Sequence, residues 1–160
     1  MSIFGPIVTA MVTPFNDDGT VNYKQAVELM DYLIQNKTTT ILLTGTTGES
    51  PTLSHDEEYE LYRLAVNHFK GKAHLMAGAG SNCTKTAIES TQMAAEIGMD
   101  STLQVVPYYN KPCQDGIYNH FRAIAESTSL PVMIYNIPGR TGINMSAETV
   151  NKCAAIPNIL

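Results

Sequence analysis

Apolar stretches of strand length begin near residues 7, 40, 73, 102 and 131, and between them the hydrophobic period changes to that of an amphipathic helix. A repeat of about 30 residues is the length of one strand, one helix and their loops, so the chain is committed to parallel strands with helices packed against them. Eight such units, about 250 residues, close a (β/α)8 barrel. This chain supplies five units and, at Ile159 and Leu160, the opening of a sixth strand. A five-stranded doubly wound sheet shares the period but collects its ligand groups at one switch-point crevice. Here the second, fourth and fifth strands each run into polar, hydroxyl-bearing residues, which suits the rim of a barrel better. The expected class is α/β, with residues 1–160 the N-terminal part of a single (β/α)8 TIM barrel domain.

The individual elements follow from local signals. Residues 7–13 read as a buried strand stopped by Pro14, and Asn16-Asp17-Asp18-Gly19 as a turn. Tyr23, Ala26, Val27, Met30, Leu33 and Ile34 recur at helical spacing over residues 22–36. Ser54 with Glu57 fits a capping box that opens a helix running to about Phe69. A third strand over residues 73–78 leads through a small-residue loop to a helix over 84–97, which Gly98 terminates. A strand over 102–106, a helix from an Asp115 N-cap to Ser127, a strand over 131–137 and a short helix opened by Ser146 complete the series.

The second strand stops at Gly45-Thr46-Thr47-Gly48-Glu49-Ser50. The two glycines predict a turn that residues bearing a Cβ would resist. Thr46 and Thr47 would then offer hydroxyls and backbone N–H groups, donors that suit a carboxylate or a developing oxyanion. No lysine follows the second glycine, so this is not a Walker phosphate loop. Glu49 and His55 stand near the turn, where a solvated surface role is the simpler reading.

Composition removes several classes of function. A formal net charge of -5 without any Lys/Arg cluster argues against nucleic acid or an anionic membrane as partner. Cys83, Cys113 and Cys153 are widely spaced and form no C-x-x-C pattern, which predicts a reducing compartment, no zinc site and partly buried thiols acting as small hydrophobes. Residues 1–30 carry no signal-peptide pattern, and no apolar run is long enough to span a bilayer, so a cytoplasmic location is expected.

Three motifs then occur in one order: the glycine-framed loop, Val106-Pro107-Tyr108-Tyr109-Asn110-Lys111-Pro112, and Tyr135-Asn136-Ile137-Pro138-Gly139-Arg140-Thr141-Gly142. Together they resemble the dihydrodipicolinate synthase family of class I pyruvate-dependent aldolases, and the similarity extends over all 160 residues. The resemblance implies a lyase of lysine and diaminopimelate biosynthesis. Such an enzyme condenses pyruvate with aspartate 4-semialdehyde through a lysine Schiff base, without metal or organic cofactor. It also implies a homotetramer built from tight dimers.

By position, Thr46, Tyr109 and Tyr135 match the family's proton relay. Tyr135 would stand over the imine, Thr46 would connect the two phenols, and Tyr109 would reach from the partner subunit. Thr46 and Thr47 would hold the pyruvate carboxylate, and Arg140 the carboxylate of the semialdehyde. An ordinary loop ion pair for Arg140 and interface packing for Tyr108 and Tyr109 are the structural alternatives. Ser50, His55, Asn82 and Tyr108 match an effector site for lysine, whereas Pro51, Glu58 and Thr86 depart from it, which predicts weak or absent feedback inhibition.

The chain also departs from the family's pattern elsewhere. The Schiff-base lysine is expected a few residues beyond Asn158-Ile159-Leu160, and none of the lysines at 24, 37, 70, 72, 85, 111 and 152 matches it. The expectation is an N-terminal part of a longer enzyme, inactive by itself. Lys37-Thr38-Thr39-Thr40 lacks the glycine usual before the second strand. A related N-acetylneuraminate lyase or 2-keto-3-deoxy sugar acid aldolase, or a non-catalytic barrel fragment, are the alternative functions.

Overall fold

A computed structural model describes residues 3–160, which divide into two compact units, residues 3–78 with Glu96–Asp100 and Ala79–Ala95 with Ser101–Leu160. In the first unit the order is β1 (Val8–Ala10), α1 (Tyr23–Gln35), β2 (Thr40–Leu43), a 3-10 turn (Ser50–Thr52), α2 (His55–Phe69) and β3 (His74–Gly78). β2 lies between β1 and β3 and is parallel to both, with Ile41 opposite Thr9 on one side and Leu75 on the other. All four residues of β2 are buried. That explains why its sequence shows no alternation, since a strand covered on both faces has no solvent side to mark.

The helices of this unit bury one face each. α1 contributes Ala26 and Met30 to the core, and α2 contributes Leu61, Ala65 and Phe69, spaced four apart on one stripe. The capping box is present in full: the Ser54 backbone N–H donates to Glu57 Oε2 at 2.8 Å, and the Glu57 N–H donates to Ser54 Oγ at 3.4 Å. β1 is shorter than the expected 7–13. Met11 N–H still donates to Leu42 O at 3.0 Å, but beyond it Phe15 pairs antiparallel with Val21 around the predicted turn, and Thr13 turns its hydroxyl to Gly48 O at 2.6 Å.

The missing glycine before β2 now has a physical account. α1 ends in a Schellman arrangement, with Lys37 N–H donating to Ile34 O at 3.1 Å and Thr38 N–H to Leu33 O at 3.0 Å. Lys37 occupies the left-handed position at φ 76° that glycine usually fills. Two carbonyls of the last turn are satisfied, which offsets a local strain of order 1 kcal/mol.

In the second unit α3 (Thr84–Ile97) is followed by β4 (Ser101–Val105), α4 (Gln114–Glu126), β5 (Val132–Tyr135), the single turn α5 (Pro138–Thr141) and α6 (Ala147–Ala154). β4 and β5 are parallel, with Leu103 opposite Met133 and Val105 opposite Tyr135. Ala87, Val106, Ile117, Phe121, Ile124, Val132, Met145 and Cys153 form its core. Ile159 makes an isolated parallel bridge to Val132, and Leu160 N–H donates to Val132 O at 3.0 Å. Asn158 fixes the approach to it by donating to the carbonyls of Ala125, Thr128 and Leu130 at 3.0, 3.1 and 3.2 Å.

Three expectations are corrected in this unit. The N-cap of α4 is Cys113 and not Asp115, which sits inside the first turn, where its charge favours the positive helix end and its carboxylate meets Lys152 Nζ at 3.4 Å. Cys83 and Cys113 are exposed, so only Cys153 plays the part of a buried small hydrophobe. Residues 138–141 form a helical turn and not an open loop, because Pro138 supplies a preset φ at its first position and Gly142 closes it at φ 74°. On α4, buried His120 pairs its Nδ1 with Thr84 Oγ1 at 2.9 Å, and burial pushes the imidazole down to about 4, so the ring is neutral at ordinary pH.

Candidate active site

The first group of candidate residues lies where β2 gives way to α2. Thr44, 2% exposed, takes a left-handed conformation at φ 51°, and Glu49 takes another at φ 57°. Between them the loop closes on itself: Gly48 N–H donates to Gly45 O at 3.0 Å, and Glu49 N–H to Thr46 O at 3.1 Å. The two glycines are needed for a reason the sequence did not reveal. Neither has a positive φ; instead, a Cβ on Gly48 would stand 3.1 Å from Met11 O and 3.2 Å from the Thr44 Cα. Gly48 is there because backbone passes close by.

The loop leaves its donors free. Thr46 and Thr47 are exposed, and among the described residues neither their hydroxyls nor their backbone N–H groups have a hydrogen-bond partner. Four unengaged donors on adjacent residues, with no cation among them, suit a small carboxylate held by hydrogen bonds alone.

Ser50 and His55 are brought together by a buried carboxylate on α2. Glu58, 6% exposed, accepts from Ser50 Oγ at 2.7 Å and pairs with His55 Nδ1 at 3.0 Å. Burial raises its carboxyl, against the lowering effect of those two hydrogen bonds. The side chains expected to face an effector are therefore already engaged inside the unit.

The second group occupies the loops after β4 and β5. Asn82 Nδ2 donates to the backbone carbonyl of Tyr108 at 3.2 Å, and Asn110 Nδ2 donates to Asn82 O at 3.0 Å. Tyr109 and Lys111 both have positive φ, 71° and 43°, and Tyr109 is 88% exposed. The Tyr109 side chain makes no hydrogen bond among the described residues and is open to solvent. Tyr135 is the last residue of β5; its carbonyl accepts from Val106 N–H at 3.0 Å, while its hydroxyl has no partner among the described residues.

Arg140 stands on the turn α5, exposed, and among the described residues no carboxylate lies within ion-pair distance of it. The loop ion pair considered from sequence is not formed. The turn itself is rigidly tied: Asn136 donates to Asn144 Oδ1 at 2.8 Å and accepts from Met145 N–H at 3.2 Å, and Thr141 Oγ1 donates to Ile143 O at 2.8 Å. Lys111 lies over it, its Cε 3.0 Å from where a Cβ on Gly142 would sit.

All seven lysines are exposed. Lys70 is also ion-paired with Asp100. None of the seven is enclosed by apolar side chains as an imine-forming amine at a barrel core would be. Among the described residues no three His, Cys, Asp or Glu side chains are grouped to hold a metal ion, and no helix is long and apolar enough to cross a membrane.

With this geometry in hand, comparison with known proteins is informative. The sequence model of the Dihydrodipicolinate synthetase family matches residues 3–160. The 4-hydroxy-tetrahydrodipicolinate synthase of Acaryochloris marina is 56% identical over 161 residues, covering 100% of this chain and 55% of that protein. The crystal structure of a dihydrodipicolinate synthase from Bacillus anthracis superposes with a TM-score of 0.97 at 50% identity, over 99% of this chain and 55% of that one. The chloride-inhibited dihydrodipicolinate synthase of Acinetobacter baumannii, solved in complex with pyruvate, superposes at 0.95 with 43% identity, over 99% and 54% respectively. The chain spans about half the length of the curated relatives it matches.

Proposed function

This chain belongs to the dihydrodipicolinate synthetase family, and on that premise we propose that it supplies the first five β/α units of a (β/α)8 barrel that condenses pyruvate with aspartate 4-semialdehyde. The observation that carries the reading is the row of free donors on Thr46 and Thr47. They match the carboxylate of a 2-oxo acid, and a relative has been solved with pyruvate bound.

The chemistry assigns each remaining group a task. Pyruvate joined to a lysine as an imine must lose a methyl proton to become an enamine, and the enamine carbon then attacks the aldehyde. Protons have to leave and return at the imine, which the phenol of Tyr135 and the hydroxyl of Thr46 can carry as a relay. Tyr109, open to solvent in its own chain, is assigned to the site of a partner subunit in a homo-oligomer, where it extends the relay to solvent. The unpaired guanidinium of Arg140 takes the semialdehyde carboxylate in a bidentate fork. The lysine that forms the imine lies outside residues 1–160, since every lysine within them is exposed. No metal or organic cofactor enters this scheme.

The same barrel chemistry serves aldolases that act on sugar acids, and Arg140 separates the two readings. A free cation favours an aldehyde that carries a carboxylate, whereas a polyol aldehyde is better met by neutral hydrogen-bonding groups. Turnover of the full-length enzyme with pyruvate and each aldehyde is expected to favour aspartate 4-semialdehyde by at least about 100-fold in kcat/KM. A preference for N-acetylmannosamine or a sugar-derived aldehyde would assign the chain to the lyase branch instead.

A further inference from the structure

The loop that bears Thr46 and Thr47 is anchored at both ends to successive turns of one helix. At its start, the Thr44 hydroxyl is 2.5 Å from the phenol of Tyr62, with Thr44 2% and Tyr62 1% exposed. At its end, the Ser50 hydroxyl donates to Glu58, one turn earlier on α2. The anchor at Thr44 sits where the backbone is strained. A β-branched residue at φ 51° is held in a sparsely populated conformation, which persists only where its surroundings over-determine it. Those surroundings are visible: Tyr62 OH also reaches Gly78 O at 3.4 Å, and Gly78 brings its backbone so close that an added Cβ would stand 2.4 Å from Thr44 O.

We propose that Tyr62, through its hydrogen bond to the Thr44 hydroxyl, is a positioning residue that holds the 45–48 loop in the shape that presents the donors of Thr46 and Thr47 to the pyruvate carboxylate. The assignment rests on the proposed pyruvate site and deepens it. Tyr62 touches no substrate; it acts through Thr44, whose left-handed turn sets the direction in which the loop leaves β2. Burial raises its phenol far above the ordinary value, so the hydroxyl keeps its proton throughout the working pH range. The contact is therefore constant and serves as a brace.

Two isosteric variants of the full-length enzyme test it, Tyr62→Phe and Thr44→Val, with their double variant and Thr44→Ser as the form that keeps the hydroxyl. Each single variant is expected to raise KM for pyruvate about tenfold while KM for the aldehyde stays within about twofold, because only the carboxylate loop has moved. The double variant is expected to do no more than either single one, since both remove the same bond. Thr44→Ser should restore the parent KM.

Amide exchange at Gly48 and Glu49, read in the same proteins, is expected to quicken about tenfold in Tyr62→Phe without a matching change in β2. This measurement needs no activity, so it decides the brace even if the parent proves not to bind pyruvate, which would remove the substrate reading separately. Unchanged exchange, equal changes in both KM values, additive effects or loss of the fold by both variants would each overturn the assignment.

Discussion

Replacing Tyr135 with phenylalanine is expected to lower kcat by about two to three orders of magnitude while leaving the enzyme able to form its pyruvate imine. The ring stays at the end of β5, where the backbone of Tyr135 is tied to Val106, so the strand and its neighbours keep their places. What disappears is one hydroxyl that has no partner among the described residues and that the proposed scheme uses to move protons at the imine. A hydroxyl held for packing or stability would have a bonded neighbour, and its loss would then appear in the melting temperature. Steady-state kinetics, with borohydride trapping of the imine as a separate readout, distinguish the two. A kcat within about tenfold of the parent would remove Tyr135 from the relay.

The second large effect concerns Gly78. A methyl group there would lie 2.4 Å from Thr44 O, 2.7 Å from Thr44 C and 2.9 Å from Gly45 N, all of them backbone atoms that cannot swing aside. Gly78→Ala is therefore expected to destabilise the fold by more than about 4 kcal/mol, or to prevent its formation. Gly139→Ala is the control, since nothing lies within 4 Å of its added Cβ and its φ is not positive. That change is expected to stay within about 0.5 kcal/mol of the parent in chemical denaturation. Comparable losses at both positions would mean that the close approach at Gly78 is not what fixes the loop.

Much of this architecture was legible in the residues because the signals are local. The α2 start at Ser54 with Glu57, the α6 start at Ser146 and the end of α3 before Gly98 are settled by side chains within one turn of the boundary. The candidate loops were legible for a different reason: three uncommon strings of residues occur together. What sequence did not show are contacts between residues far apart in the chain. Gly45 and Gly48 predicted a turn that a Cβ would resist, and the left-handed residues of that turn are Thr44 and Glu49. The glycines answer instead to crowding by Met11, Thr13 and Leu42, which no local pattern records.

Tyr62 illustrates the same limit. It is buried on α2, and its hydroxyl's partner, Thr44, lies 18 residues away at the end of β2. Lys37 shows the converse, a position where the pattern asks for glycine and the chain uses a strained lysine because Leu33 and Ile34 carbonyls are satisfied by doing so. The α4 cap went to Cys113 because an acid two residues further on is favoured inside the first turn as readily as in front of it.

Incubation of the full-length enzyme with pyruvate and borohydride, followed by peptide mass mapping, bears most directly on the claim that these loops serve a pyruvate imine. The expected result is a single pyruvyl adduct, on a lysine outside residues 1–160, formed at an undiminished level by Tyr135→Phe. No adduct at all, or one on any lysine among residues 1–160, would contradict it.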